Sequence, residues 1–247
     1  MKFLEIAGIT LLCIVGLAVA YAIVHLLMIV IMSALVDTKK EYEKESKFYA
    51  KFMDYSLWLG LKLARVKVEI IGKEKIPTDS RFLYVANHRS AFDPLIVRAY
   101  LSKYKVNFIS KPQNFDPPFL KQFMIRLKFL SIDRNNTRSS LKTILKAVEY
   151  LKNDEGSMGV YPEGMRSFSG ELLPFHDGVF KIAIKANVPV VVASMVGQEN
   201  IKKNFPFKRT VVRFEIIDVL PVEEKVSSHE LAEKARTLIQ NKLDENK

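Results

Sequence analysis

The chain has 247 residues, enough for one domain of ordinary size with an appendage. Hydrophobic residues make up 49% and charged residues 26%, with a formal charge of +11, which excludes a disordered chain, a collagen-like chain and a multi-span transporter. The single cysteine, Cys13, excludes an intramolecular disulfide framework and a clustered-thiolate metal site.

From Ile6 to Val36 there is no charged side chain. As one helix this run would be ~46 Å long, against ~30 Å for a bilayer's hydrocarbon core. Ala18 and Ala20 form an A-x-A site of the signal-peptide kind, but the apolar run continues well past it, so the segment reads as a retained membrane anchor. Only Lys2 precedes it, while Lys39, Lys40, Lys44, Lys47 and Lys51 follow closely, so its carboxyl-terminal side is expected to be cytoplasmic. Residues 48–66 mix Phe52, Tyr55 and Trp58 with Lys51, Lys62 and Arg65, which suits a helix at headgroup level or one packed on the following domain. The expected division is residues 1–64 as anchor and interfacial helix and 65–247 as a catalytic domain.

Beyond Arg65, β-rich runs are predicted at 66–71, 82–86, 106–110, 129–132, 158–161, 188–195 and 211–219. Helices are predicted at 94–101, 117–128, 140–152 and 179–186 between them. The alternation predicts an α/β fold: a mostly parallel sheet flanked by helices, preceded by the membrane-anchoring helical segment. Ser227 and Glu230 form a capping box for a last helix with an apolar stripe of Leu231, Ala235, Leu238, Ile239 and Leu243.

The charge is concentrated. Residues 81–142 hold twelve basic side chains against three acidic ones, a field suited to nucleic acid, an anionic lipid surface or small phosphorylated substrates. Polar clusters follow four of the strands: 87–93, Lys111, Asp133 with Arg134, and 163–167. Ligands in such sheets bind beyond the carboxyl ends of strands.

In the first cluster, Asn87 to Pro94, His88 and Asp93 would point about 140° apart on a helix, so they meet only if the chain turns at the small Ser90 and Ala91. Asp93-Pro94 also reads as an N-cap followed by proline at the first helical position. A histidine held by a carboxylate is a general base, and with no G-x-S-x-G elbow and Cys13 in the span, direct attack by a substrate hydroxyl fits better than a covalent intermediate. Arg134 and Arg166 each follow a strand, where a guanidinium can grip a phosphate. His176 falls near the 163–167 cluster. Cys, His and Asp are nowhere grouped at ligand spacing, so neither a metal nor a resident cofactor is expected.

Together these residues resemble the 1-acylglycerol-3-phosphate (lysophosphatidic acid) acyltransferase family. Its N-H-x-S-x-x-D motif is met by Asn87, His88, Ser90 and Asp93. F-I-D-R is met by Ile132, Asp133 and Arg134, with Ser131 for phenylalanine. E-G-T-R-S is met by Glu163, Gly164, Arg166 and Ser167, with Met165 for threonine. V-P-V-x-P survives as Val188, Pro189 and Val190, with Val192 for the second proline.

The resemblance implies that His88 is the base and Asp93 its orienting partner. It implies that Lys111, Arg134 and Arg166 bind the acceptor phosphate, and that Glu163, with Gly164 and Ser167, helps place the glycerol part. It further implies acyl-CoA or acyl-acyl carrier protein as donor substrate, lysophosphatidic acid as acceptor, phosphatidic acid as product and an anionic membrane surface as partner, with no nucleic acid. The other readings are a different lysolipid acceptor, or a non-enzymatic anionic-lipid-binding membrane protein.

Overall fold

The computed structural model describes residues 2–117, 119–133 and 135–246. A helix α1 (Lys2–Ala34) is followed by α2 (Lys47–Leu63), and then by the predicted alternation. The strands are β1 (Val66–Ile71), β2 (Leu83–Ala86), β3 (Val106–Ser110), β4 (Leu130–Ser131), β5 (Ser157–Val160), β6 (Val190–Val196) and β7 (Thr210–Leu220). They form one sheet in the order β1-β7-β6-β2-β5-β3-β4, parallel except where β6 meets β7. The helices are α3 (Asp93–Tyr100), α4 (Leu120–Arg126), α5 (Thr137–Lys152), α6 (Lys181–Ala186), α7 (Ile201–Asn204) and α8 (Ser228–Glu245).

Strands buried on both faces read as near-continuous apolar runs, as β6 does. On β2, Leu83 and Val85 face one core with α5, α6 and α8, whereas Tyr84 and Ala86 face the other with α2 and α3. Boundaries differ from the sequence reading where local chemistry decides. Helix α5 starts three residues earlier than expected because the Asn136 side chain caps it, accepting from Ser139 N at 3.0 Å. Helix α4 starts three residues later, after Phe119 at φ 67°. Ser227 caps α8 through Glu230 N at 3.1 Å, but the Glu230 carboxylate pairs with Lys234 at 3.0 Å instead of completing the box.

Helix α1 is continuous and, by length and composition, long and apolar enough to cross a membrane, with a mean hydropathy of 2.7. This helix supports membrane association of the protein. Its second half lies antiparallel to α2: Tyr49 Oη donates to Met32 O at 2.7 Å, the His25 and Phe52 rings stack at 5.0 Å, and the Tyr21 and Tyr55 hydroxyls meet at 2.7 Å. Residues 2–20 are exposed throughout and at 1.5 Å per residue are ~28 Å long, close to the thickness of the hydrocarbon core. Leu61 of α2 is buried against the domain, as a packed helix requires, while Phe48, Tyr55, Trp58 and Leu63 stay exposed.

Arg98, in the last turn of α3, is 1% exposed. Its Nε donates to Asp54 Oδ1, Nη2 to Glu45 Oε1 and Nη1 to Asn107 Oδ1, each at 2.6 Å, and Asn107 Nδ2 continues to Tyr150 Oη at 2.7 Å. One of the twelve basic residues of the 81–142 stretch is therefore a neutralised core group that joins α2 and the linker before it to α3, β3 and α5.

Burial raises the Glu45 and Asp54 carboxyls by more than Arg98 lowers them. The folded chain thus holds these protons to higher pH than the unfolded chain, and their contribution to stability falls as pH rises from the ordinary carboxylate range through the folded values. Arg98→Met should cost ~3–5 kcal/mol at neutral pH by leaving two buried carboxylates unpaired. Thermal unfolding midpoints of the variant and the wild type should converge as pH is lowered from neutral and the two raised carboxyls take up protons.

Candidate active site

β2 ends at Ala86, and the chain then turns through residues 87–92 before α3 begins. Asn87 extends the strand pairing with its side chain: its Nδ2 donates to Met195 O at 2.9 Å, and its Oδ1 accepts from Met195 N at 2.8 Å. This clamps the start of the loop to β6. The turn brings His88 Nδ1 to 2.7 Å from Asp93 Oδ2. The same oxygen accepts from the backbone N–H groups of Arg89 and Ser90, both at 2.9 Å.

The N-cap reading of Asp93 is corrected by this geometry. Phe92 precedes the helix, Asp93 is its first residue, and the carboxylate caps no helical N–H because it is turned back onto the loop. Asp93 is fully buried, and its Oδ1 has no hydrogen-bond partner among the described residues. A carboxylate on Nδ1 favours the tautomer protonated there and leaves the Nε2 lone pair available. The His88 side chain is 19% exposed, so the imidazole reaches solvent while its partner does not.

The second carboxylate braces the same loop. Glu163 Oε1 accepts from His88 N at 2.6 Å and Oε2 from Leu173 N at 2.9 Å. Glu163 is 3% exposed, and burial pushes its carboxyl above the usual range although the two N–H groups pull it back. Gly164 follows at φ 72°, a left-handed conformation in which a side chain is strained. Ser167 N donates to His88 O at 2.8 Å, and Ser167 Oγ donates to Glu171 O. Both of these 163–167 residues therefore hold the His88 loop through backbone contacts.

The remaining candidates differ in exposure. Lys111 is exposed just after β3, on the edge of the sheet where β2 ends. Arg166 is exposed and its guanidinium lies 5.6 Å from the Phe168 ring. Arg134 lies outside the described residues. His176 is exposed and its N donates to Pro162 O at 2.9 Å, beside the 163–167 cluster.

The sequence reading missed the aromatic wall. Tyr161 stacks on His88 at 4.3 Å and 14°, and Phe108 stacks on Tyr161 at 5.3 Å and 6°. Burial and the nearby Asp93 charge hold the Tyr84 and Tyr161 phenols well above their usual range, so both stay neutral. The stack is possible because β5 carries Gly159, where an added Cβ would lie 2.5 Å from the Phe108 ring. A glycine in the middle of a buried strand, beside a strand carrying phenylalanine, was the available signal.

The acyltransferase family profile matches residues 67–196, which contain every residue of this site. The chain is 28% identical over 174 residues to the 1-acyl-sn-glycerol-3-phosphate acyltransferase of Borreliella burgdorferi, covering 68% of this chain and 67% of that one. It is 27% identical over 232 residues to a probable 1-acyl-sn-glycerol-3-phosphate acyltransferase of Mycoplasma genitalium, covering 83% of each. The crystal structure of the 1-acyl-sn-glycerophosphate (LPA) acyltransferase PlsC from Thermotoga maritima shares the fold, with a TM-score of 0.65 and 24% identity over 89% of this chain and 87% of that one. An α/β sheet with this order of motifs at one edge defines an enzyme of the transferase class. The chain belongs to the acyltransferase family.

Two substitutions probe how the loop is held. Glu163→Gln keeps the shape but leaves one backbone N–H facing an amide NH2, and should cost ~1–3 kcal/mol in thermal or denaturant unfolding. Gly159→Ala should cost a similar ~1–3 kcal/mol through overpacking against Phe108, and lower kcat with little change in KM, because the displaced ring supports Tyr161 and through it His88.

Proposed function

We propose that the protein acylates the free sn-2 hydroxyl of a lysophosphatidic acid to give phosphatidic acid, with acyl-CoA or acyl-acyl carrier protein as donor. The observation that carries this reading is the His88–Asp93 pair, with its outward nitrogen at a sheet edge bearing Lys111 and Arg166. The relatives' names supply the acceptor, and the two exposed cations are suited to a phosphate monoester.

In this mechanism Arg166, Lys111 and Arg134 hold the acceptor phosphate and so bring its hydroxyl to His88. His88 Nε2 takes the hydroxyl proton as the oxygen attacks the thioester carbonyl, while Asp93 stabilises the imidazolium that forms. The tetrahedral intermediate collapses with cleavage of the C–S bond, and the imidazolium returns the proton to the departing thiolate. Atoms balance as one ester formed and one thiol released. The lysines that follow α1 favour a cytoplasmic position for the catalytic domain, where both donors occur.

The test incubates the detergent-solubilised protein with lysophosphatidic acid and a long-chain acyl-CoA or acyl-acyl carrier protein, reading free thiol and phosphatidic acid together. Equal amounts of the two products are expected. His88→Ala should lower kcat by about 10²–10⁴-fold or more; turnover at the wild-type rate in that variant would remove the mechanism. Arg166→Ala should raise KM for the acceptor by roughly 10–100-fold, the loss of a charged hydrogen bond, with a smaller effect on kcat. An unchanged acceptor KM would take Arg166 out of the phosphate site.

A further inference from the structure

Residues 202–209, Lys-Lys-Asn-Phe-Pro-Phe-Lys-Arg, take no part in the site just described. Phe205 is 56% exposed and Phe207 84%, while Lys202, Lys203, Lys208 and Arg209 around them are all exposed. No acidic residue lies between Glu199 and Glu215. Two bare aromatic rings inside a ring of cations are costly in water and are matched to a surface with an apolar interior and an anionic rim.

The segment is held in place. Phe205 N donates to Ile201 O at 3.0 Å, Lys208 N to Asn204 O at 2.8 Å and Asn204 Nδ2 to Thr210 Oγ1 at 3.0 Å. Arg65 Nη1 donates to Phe207 O at 2.9 Å and so ties the loop to the end of α2. Four of its backbone groups, Asn204 O, Phe205 N, Phe207 O and Lys208 N, are engaged within the protein, and the two phenyl rings are left exposed.

Sheet topology fixes which way they point. Ala86 of β2 pairs with Ala193 of the parallel β6, so the loop that leaves β6 emerges at the edge where His88 follows β2. β7 runs back from that edge, with Arg213 opposite Val196, and the start of β1 lies beside the start of β7, with Val66 opposite Thr210. The end of α2, with Leu63 70% exposed, therefore reaches the same edge. Because α2 is antiparallel to α1, with Tyr49 beside Met32 and Tyr55 beside Tyr21, movement along α2 towards Leu63 is movement towards the amino-terminal, apolar part of α1. The membrane helix, Leu63, the 202–209 loop and the mouth over His88 thus share one side of the molecule.

We propose that residues 202–209 are a second membrane contact, with Phe205 and Phe207 entering the interface of an anionic bilayer and Lys202, Lys203, Lys208 and Arg209 seated on its headgroups. The contact adds to α1 a second fixed point, so the sheet cannot swing on its anchor and the His88 edge is held at headgroup depth. This placement does not depend on which lipid accepts the acyl group.

The test uses the full chain in vesicles containing phosphatidylglycerol and a lipid-borne quencher. An environment-sensitive fluorophore is attached to Lys208→Cys in a Cys13→Ser background. The same fluorophore on native Cys13 reports insertion of the anchor, and on Lys152→Cys it reports the opposite edge of the sheet. Blue-shifted emission at 208, with quenching comparable to that at Cys13 and absent at 152, is expected. Adding Phe205→Ser and Phe207→Ser should abolish the shift and quenching at 208 and leave the melting temperature in detergent unchanged. A quenched Cys13 probe together with a water-exposed, unquenched probe at 208 overturns the proposal, as it would if the loop instead served a protein partner missing from the vesicles. Quenching at 208 that survives removal of both phenylalanines overturns it as well.

Discussion

Everything at this site depends on one buried carboxylate oxygen. Asp93 Oδ2 accepts from an imidazole nitrogen and from two consecutive backbone N–H groups, all within 2.9 Å, in a place with no access to water. A buried charge is tolerated only when donors converge on it, so the loop cannot relax without leaving the carboxylate uncompensated. The same contacts that make Asp93 affordable to bury also set the tautomer and direction of His88. Glu163 repeats the device from the other side, gripping His88 N and Leu173 N. The imidazole is thus held by carboxylates through both its ring and its backbone, with Tyr161 flat against it.

Most of the fold was legible because periodicity and punctuation agree. Val190 to Val196 has the composition of a strand covered on both sides, and Ser227 announces α8. What escaped was local: Asn136, which starts α5 early, and the left-handed Phe119, which delays α4. The reversal of β7 was not legible either. It is a choice of partner between distant segments, and its alternating pattern of buried Val212, Phe214 and Ile216 suits either direction.

The site was legible in part for a similar reason. His88 and Asp93 stand out because five residues with a small-residue turn between them can close one contact. The Glu163 contacts join groups 75 and 10 residues away, to backbone that carries no side-chain signature. Arg98 was only counted into the positive field of 81–142, since its partners Glu45 and Asp54 lie 53 and 44 residues upstream. Tyr161 appeared only as the end of a strand, though its ring is the surface on which His88 rests.

Helix α3 is eight residues long, and its two ends serve different masters. Asp93 at its start belongs to the imidazole, while Arg98 near its end belongs to Glu45 and Asp54, in the stretch that leads away from the membrane helix. The membrane-proximal segment is therefore part of the interior of the chemical unit and not a detachable leash. A chain shortened to begin after residue 64 would keep the whole sheet and every motif, yet Arg98 would retain only Asn107 as a partner. Solubility obtained that way would cost this guanidinium both of its carboxylates, less than two helical turns from the His88 loop.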